Sequence, residues 1–182
     1  MRILASVLNA IDNISEWTGR VVSFLIAIAV VAMSYEVIAR YGFNAPTIWS
    51  YEVSYFLCGT AMIIGGAYAL RYRSHVNVDI AYARFPPRAK AVLDVVSSVL
   101  FFAFVGILVW KGAGFAWKSL RFLEHSDSLW LPPLYPFKVV LFIGACLITL
   151  QGLAKFIRDL TTAVTGREVI TEKEKITRRE TV

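Results

Sequence analysis

Histidine occurs twice and cysteine twice in 182 residues, and charged residues make up only 18% of the chain. Cys58 and Cys146 both stand inside apolar blocks, so neither a disulfide framework nor a zinc site is indicated. There is no phosphate-binding loop, no HExxH and no CxxC. His125, Ser126 and Asp127 are sequence neighbours and cannot arrange themselves as nucleophile, base and orienting acid. Haem ligation between helices would need histidines at membrane depth, and His75 and His125 lie outside the apolar blocks. No catalytic residue, metal ligand or cofactor is expected, and the chain reads as no enzyme. The net charge of +6 would suggest nucleic acid only as a basic stripe on a soluble domain. Here the cations sit between and after the apolar blocks, so no nucleic-acid partner is expected.

What the chain does contain is apolar residues, 57% of the total, in long runs. A helical membrane span needs about 20 mostly apolar residues. Four stretches qualify, at about 21–39, 50–70, 91–112 and 134–157. Backbone groups in lipid must be satisfied within the segment, so these spans are predicted to be α-helices. Residues 1–20 differ in kind. Ile3, Leu4, Val7, Leu8, Ile11 and Ile14 recur at helical spacing, with Ser6, Asn9, Asp12, Asn13 and Glu16 opposite. That pattern predicts an amphipathic helix lying at the membrane surface in contact with lipid. The expected fold class is therefore an all-α integral membrane protein: four transmembrane helices preceded by an N-terminal amphipathic interfacial helix.

Orientation follows from lysine and arginine. With the N-terminus inside, 14 cations fall on the cytoplasmic side and 5 on the other. Both termini are expected in the cytoplasm, with residues 158–182 as a charged cytoplasmic tail. Trp17, Trp49, Trp110, Trp117 and Trp130 all fall at or near span ends, as an aromatic belt requires. The connection between spans three and four carries aromatics at its centre and is expected to pack on the outer membrane face or on a partner.

Ionisable residues near spans are functional candidates by default. Glu36 and Arg40 share a helix face four residues apart, with Glu52 at the start of span two on the same side. A relay is one reading; an ion pair tying spans one and two together is the other, with Arg40 expected to meet Glu36, Glu52 or both. Asp94 is expected to pair with Lys90. The span centres are apolar, unlike those of a self-sufficient transporter. They carry instead Ala61, Gly65 and Ala69 at four-residue steps, which allow close helix approach and could seat a partner helix.

In this order and at these spacings, Arg40, Phe43, Trp49, Glu52, the Gly65–Gly66–Ala67 stretch, the segment from His75 to Asp79, and Ser128, Pro132 and Tyr135 are similar to a known pattern. The chain resembles the small, Q-type membrane subunit of tripartite ATP-independent periplasmic (TRAP) transporters up to about residue 157. Tyr51 departs from the family, which often has an acidic residue there. The resemblance implies a non-catalytic scaffold in the bacterial inner membrane. It would brace a large multi-span membrane subunit during sodium-coupled uptake of an organic acid. A periplasmic substrate-binding protein would deliver that acid. On this view Glu36, Arg40, Trp49, Glu52, Ala61, Gly65, Ala69, His75 and Asp79 are structural or partner-interface residues. Two other classes stay open from the residues alone: a membrane anchor of a respiratory complex, and a small proton-coupled drug exporter using a membrane glutamate.

Overall fold

The computed structural model describes residues 2–71 and 87–165. Four helices account for nearly all of them: α1 (Arg2–Gly42), α2 (Ser50–Arg71), α3 (Pro87–Phe122) and α4 (Tyr135–Thr165). Each contains a segment long and apolar enough to cross a membrane, within Ser6–Gly42, Ser50–Arg71, Val95–Phe122 and Tyr135–Thr161 respectively. Among the described residues there is no strand, only one isolated bridge between His125 and Pro133.

The helix ends follow local chemistry. Beyond Gly42, Asn44 adopts φ 48°, and the Ala45 N–H reaches back to the Ala39 carbonyl, with Pro46 next. Asparagine tolerates the left-handed conformation better than most residues, so the chain turns there. Helix α3 opens on Pro87, whose missing N–H costs nothing at a first helical position. It closes through Leu123 at φ 46°, with the Glu124 N–H bonded to the Ser119 carbonyl at 3.1 Å. That closure usually employs glycine; a leucine there costs about 1–2 kcal/mol.

The helices form a row rather than a closed bundle. Helix α1 packs on α2, α2 on α4 and α4 on α3, while α1 meets α4 only over a short stretch. Successive helices are antiparallel except α2 and α4, which run side by side in the same direction. One end of the row holds the loops at 43–49 and 123–134; the opposite, terminal end holds the start of α1 and the end of α4. Of the 12 buried apolar residues among those described, 8 are alanines, including Ala29, Ala32, Ala61, Ala67, Ala145 and Ala154. Large side chains such as Phe24, Val31, Leu100 and Phe104 point outward. Small residues at helix contacts and bulky ones outside are what lipid-embedded packing requires. Helix separations are correspondingly short. A Cβ on Gly144 would lie 2.8 Å from Ile63, and one on Gly152 2.3 Å from Phe101.

No break separates residues 1–20 from residues 21–39: α1 runs uninterrupted through both. Its N-terminal third buries a mixed face, in which Leu8 lies with two polar residues. Asp12 and Ser15 are buried, while Val7, Ile14 and Trp17 are exposed. The reason is a set of charges on α2 and α4.

Candidate functional site

Three helices converge on Asp12 at the terminal end. Its Oδ2 accepts from Arg158 Nη2 at 2.6 Å, and its Oδ1 from Gln151 Nε2 at 3.0 Å. The other end of the Gln151 amide accepts from Ser15 Oγ at 2.9 Å. Arg71 Nη1, from the last residue of α2, donates to the Asp12 carbonyl at 2.6 Å and to Glu16 Oε2 at 2.7 Å. Arg20 donates to the remaining Glu16 oxygen at 2.5 Å. Asp12 is 3% exposed and Gln151 1%. Buried charges persist when paired and hydrogen-bonded, and here each carboxylate oxygen of Asp12 and Glu16 has a cationic or amide donor. The assembly is a clasp joining α1, α2 and α4.

A second, smaller clasp closes the loop end. Glu36, 6% exposed, accepts from Arg40 Nε at 2.8 Å and Nη2 at 2.5 Å. Its other oxygen accepts from the Thr47 backbone N–H at 3.0 Å and from the Thr47 hydroxyl. One carboxylate thus fixes both the last turn of α1 and the turn into α2. The expected Glu36–Arg40 pair forms. No bond joins Arg40 to Glu52 among the described residues, and Glu52 Oε2 is buried without a hydrogen-bond partner there. Asp12 and Glu36 are 24 residues apart on one helix, about 36 Å, close to the thickness of a bilayer's hydrocarbon with its boundaries.

The other expected residues are distributed as follows. Trp49 stacks on Tyr35, with centroids 5.9 Å apart and planes at 22°. Ala61 is buried, and the open side of Gly65 faces Val22 of α1 at 3.9 Å. That part of the small-residue row therefore serves contact within the chain. Ala69 is half-buried. His75 and Asp79 lie outside the described residues, as do the side chains of Lys90 and Asp94. His125 is exposed, edge-on to Tyr135 at 6.5 Å.

The 123–134 connection is an ordered hairpin. The Ser126 N–H bonds the Pro132 carbonyl at 2.9 Å, the Leu134 N–H bonds the Glu124 carbonyl at 2.8 Å, and Lys138 Nζ donates to Glu124 Oε2 at 2.6 Å. Lys138 thereby holds the Glu124 carboxyl below its ordinary range.

Sequence reading missed the terminal clasp. Helical spacing places Asp12 and Glu16 opposite the apolar face of residues 1–20, and nothing in the sequence links them to Arg71 or Arg158. One signal could have found it: Gln151 is the sole amide in the otherwise charge-free stretch 139–154. No group of three or more potential metal ligands occurs among the described residues.

Residues 28–162 match the family described as the DctQ component of tripartite ATP-independent periplasmic transporters. Three characterised proteins are similar. The C4-dicarboxylate TRAP transporter small permease protein DctQ of Vibrio cholerae is 25% identical over 133 residues, 69% of this chain and 57% of that protein. The sialic acid TRAP transporter small permease protein SiaQ of the same organism is 22% identical over 122 residues, 67% of each. The isethionate TRAP transporter permease protein DctMQ of Oleidesulfovibrio alaskensis is 26% identical over 96 residues, 53% of this chain but 15% of that protein. The match to the first of these thus spans little more than half its length. A match over residues 28–162, in a chain of four apolar helices, places this chain in the DctQ family of small TRAP transporter subunits, a family of transport components and not of enzymes.

Proposed function

We propose that this chain braces the large membrane subunit of a TRAP transporter during sodium-coupled uptake of an organic acid delivered by a periplasmic binding protein. It does so in the bacterial inner membrane with both termini cytoplasmic. The observation that carries this reading is the row: one layer of helices in which the carboxylates of Asp12, Glu16 and Glu36 pair within the chain and bulky apolar side chains point outward. Such a layer suits bracing a neighbour better than enclosing a solute. Support for a large partner comes from the DctMQ relative, in which the matched stretch is a small part of a much longer permease protein. Support for an organic anion comes from the relatives' names, which specify a C4-dicarboxylate, sialic acid and isethionate. The split of 14 cations to 5 supports the orientation. Membership of the DctQ family displaces the respiratory-anchor and drug-exporter readings.

The test is purification in mild detergent followed by reconstitution. The chain should co-purify with a large multi-span subunit, and liposomes containing both should take up organic acid only with binding protein and an inward sodium gradient. Replacing Glu36, Asp94 or His125 by neutral residues should leave the sodium dependence unchanged. Uptake by this chain alone would refute the bracing role.

A further inference from the structure

Helix α3 is an edge of the row, with α4 packed on one side of it. Toward α4 it turns Val105, Ala116 and Ser119, all buried. Away from that side, at steps of three and four residues, runs a second stripe: Leu100, Phe104, Ile107, Lys111, Phe115 and Lys118, all exposed. The stripe changes character along its length. Its first three residues lie within Val95–Trp110, a stretch without a charge that covers about 24 Å of helix and must occupy the hydrocarbon. Lys111 is the first charge beyond it, with its ammonium 5.5 Å from the centroid of the Trp110 ring. Lys118 follows two turns later, about 10 Å further along the axis. The headgroup layer on each side of the hydrocarbon is roughly 5–7 Å thick. The two lysines therefore bracket the layer in which lipid phosphates lie, and Arg121, also exposed, stands on their flank one turn beyond.

The other cations whose side chains are described already have anions. At the loop end Arg40 pairs with Glu36 and Lys138 with Glu124. At the terminal end Arg20, Arg71, Lys155 and Arg158 likewise form ion pairs. Lys111, Lys118 and Arg121 form none among the described residues. Glu124 feels the charge of Lys118 through space, but its bonded partner is Lys138. Three unpaired cations so close along one helix repel one another and favour an anion among them. The stripe passes without a break from bare apolar side chains to lysines interleaved with an aromatic ring. A phospholipid has that same order of polarity, from acyl chain to phosphate. A water-soluble partner could not reach Leu100 or Ile107 within the hydrocarbon. A zwitterionic headgroup would bring its own ammonium against the lysines, whereas basic clusters at this level select anionic lipid.

We propose that the outward edge of α3 is a binding site for an anionic phospholipid of the leaflet at the loop end, with the phosphate between Lys111 and Lys118 and an acyl chain along Leu100, Phe104 and Ile107. The site is independent of the bracing role; only the name of that leaflet, the outer one, rests on the orientation proposed above. The full chain, alone and assembled with the large subunit, tests it in phosphatidylcholine liposomes that carry a minor fraction of phosphatidylglycerol with brominated acyl chains. A bimane probe on Ala103→Cys, exposed beside the stripe, is compared with one on Ala27→Cys, exposed near the middle of the charge-free stretch of α1, with Cys58 and Cys146 replaced by alanine in both. Brominated phosphatidylglycerol should be enriched at the Ala103 probe over the Ala27 probe by about fivefold or more, the factor that one cation near an anionic surface supplies. Brominated phosphatidylcholine should quench the two probes alike. Lys111→Gln with Lys118→Gln and Arg121→Gln should erase the enrichment. Lys111→Arg with Lys118→Arg should keep it, which separates loss of charge from loss of fold. Inorganic phosphate should leave the quenching unchanged, because it has no chain to seat on Leu100 and Phe104. Relief of quenching by phosphate would reduce the site to one for free anions and overturn the proposal. Equal enrichment at the two probes, or enrichment that survives the triple glutamine variant, would also overturn it. So would loss of the enrichment on assembly, which would place the large subunit on this edge and leave the bracing role standing.

Discussion

Asp12 carries more of the tertiary structure than any other residue described. Its carboxylate joins Arg158 and Gln151, and its carbonyl joins Arg71, so two neighbouring helices are bound to one turn of α1. Removing one partner of such a buried pair leaves the other charge uncompensated, which typically costs about 3–5 kcal/mol. Asp12→Asn and Arg158→Gln should each lower the thermal midpoint in detergent by many degrees. The double variant should cost less than the two together, because neither charge is then stranded. Glu124 behaves differently because it lies outside the spans. Its folded-state affinity for a proton is lowered by Lys138, so its contribution is complete above the ordinary carboxylate value of 4.5 and is lost as pH falls through the lower folded value. Hairpin order, followed by a probe at Ser126, should survive at pH 5 and decline in more acidic buffer. Glu124→Gln should abolish that dependence.

Among the elements, α4 is the one on which the row is built, since it meets α2 on one side and α3 on the other. Its glycines permit the approach. A methyl on Gly152 would press into the Phe101 ring at 2.3 Å, whereas a methyl on Gly65 would find only Val22 at 3.9 Å. Gly152→Ala should therefore destabilise the α3–α4 contact by about 1–3 kcal/mol, the usual cost of overpacking. Gly65→Ala should be nearly neutral, and unfolding of the two variants in parallel distinguishes them. Equal losses would mean that the helices shift freely to accommodate the added carbon. The bulk of Gly65→Leu would meet Val22 of α1, so its effect falls on the α1–α2 contact within the chain.

For the whole molecule, a single layer of helices has two broad faces and no interior in the usual sense. Its stability in isolation rests on seams of small residues and on the clasps at either end. If the large subunit covers one face, its binding should raise the apparent stability of this chain by mass action. Co-expression with that subunit should raise the thermal midpoint of this chain by several degrees and slow its proteolysis. A reporter fused after Val182 that functions only in the cytoplasm is the expected result for topology; activity only in the periplasm would invert the orientation.

The residues alone establish the four apolar helices, because apolar runs and the absence of competing motifs are local properties of the chain. They also establish the Glu36–Arg40 pair, which needs only helical spacing, and the ordered motif from Arg40 to Tyr135 that resembles the DctQ family. The spacing of Leu8, Asp12 and Ser15 shows that they share one face of a helix, but not which way that face turns. The tertiary structure decided that: Arg158, 146 residues from Asp12, turns it inward and leaves Val7, Ile14 and Trp17 outside. It likewise decided the order α1–α2–α4–α3, the use of Gly65 inside the chain, and the left-handed leucines of the hairpin. Each depends on contacts between distant segments, where periodicity carries no information about which face meets which.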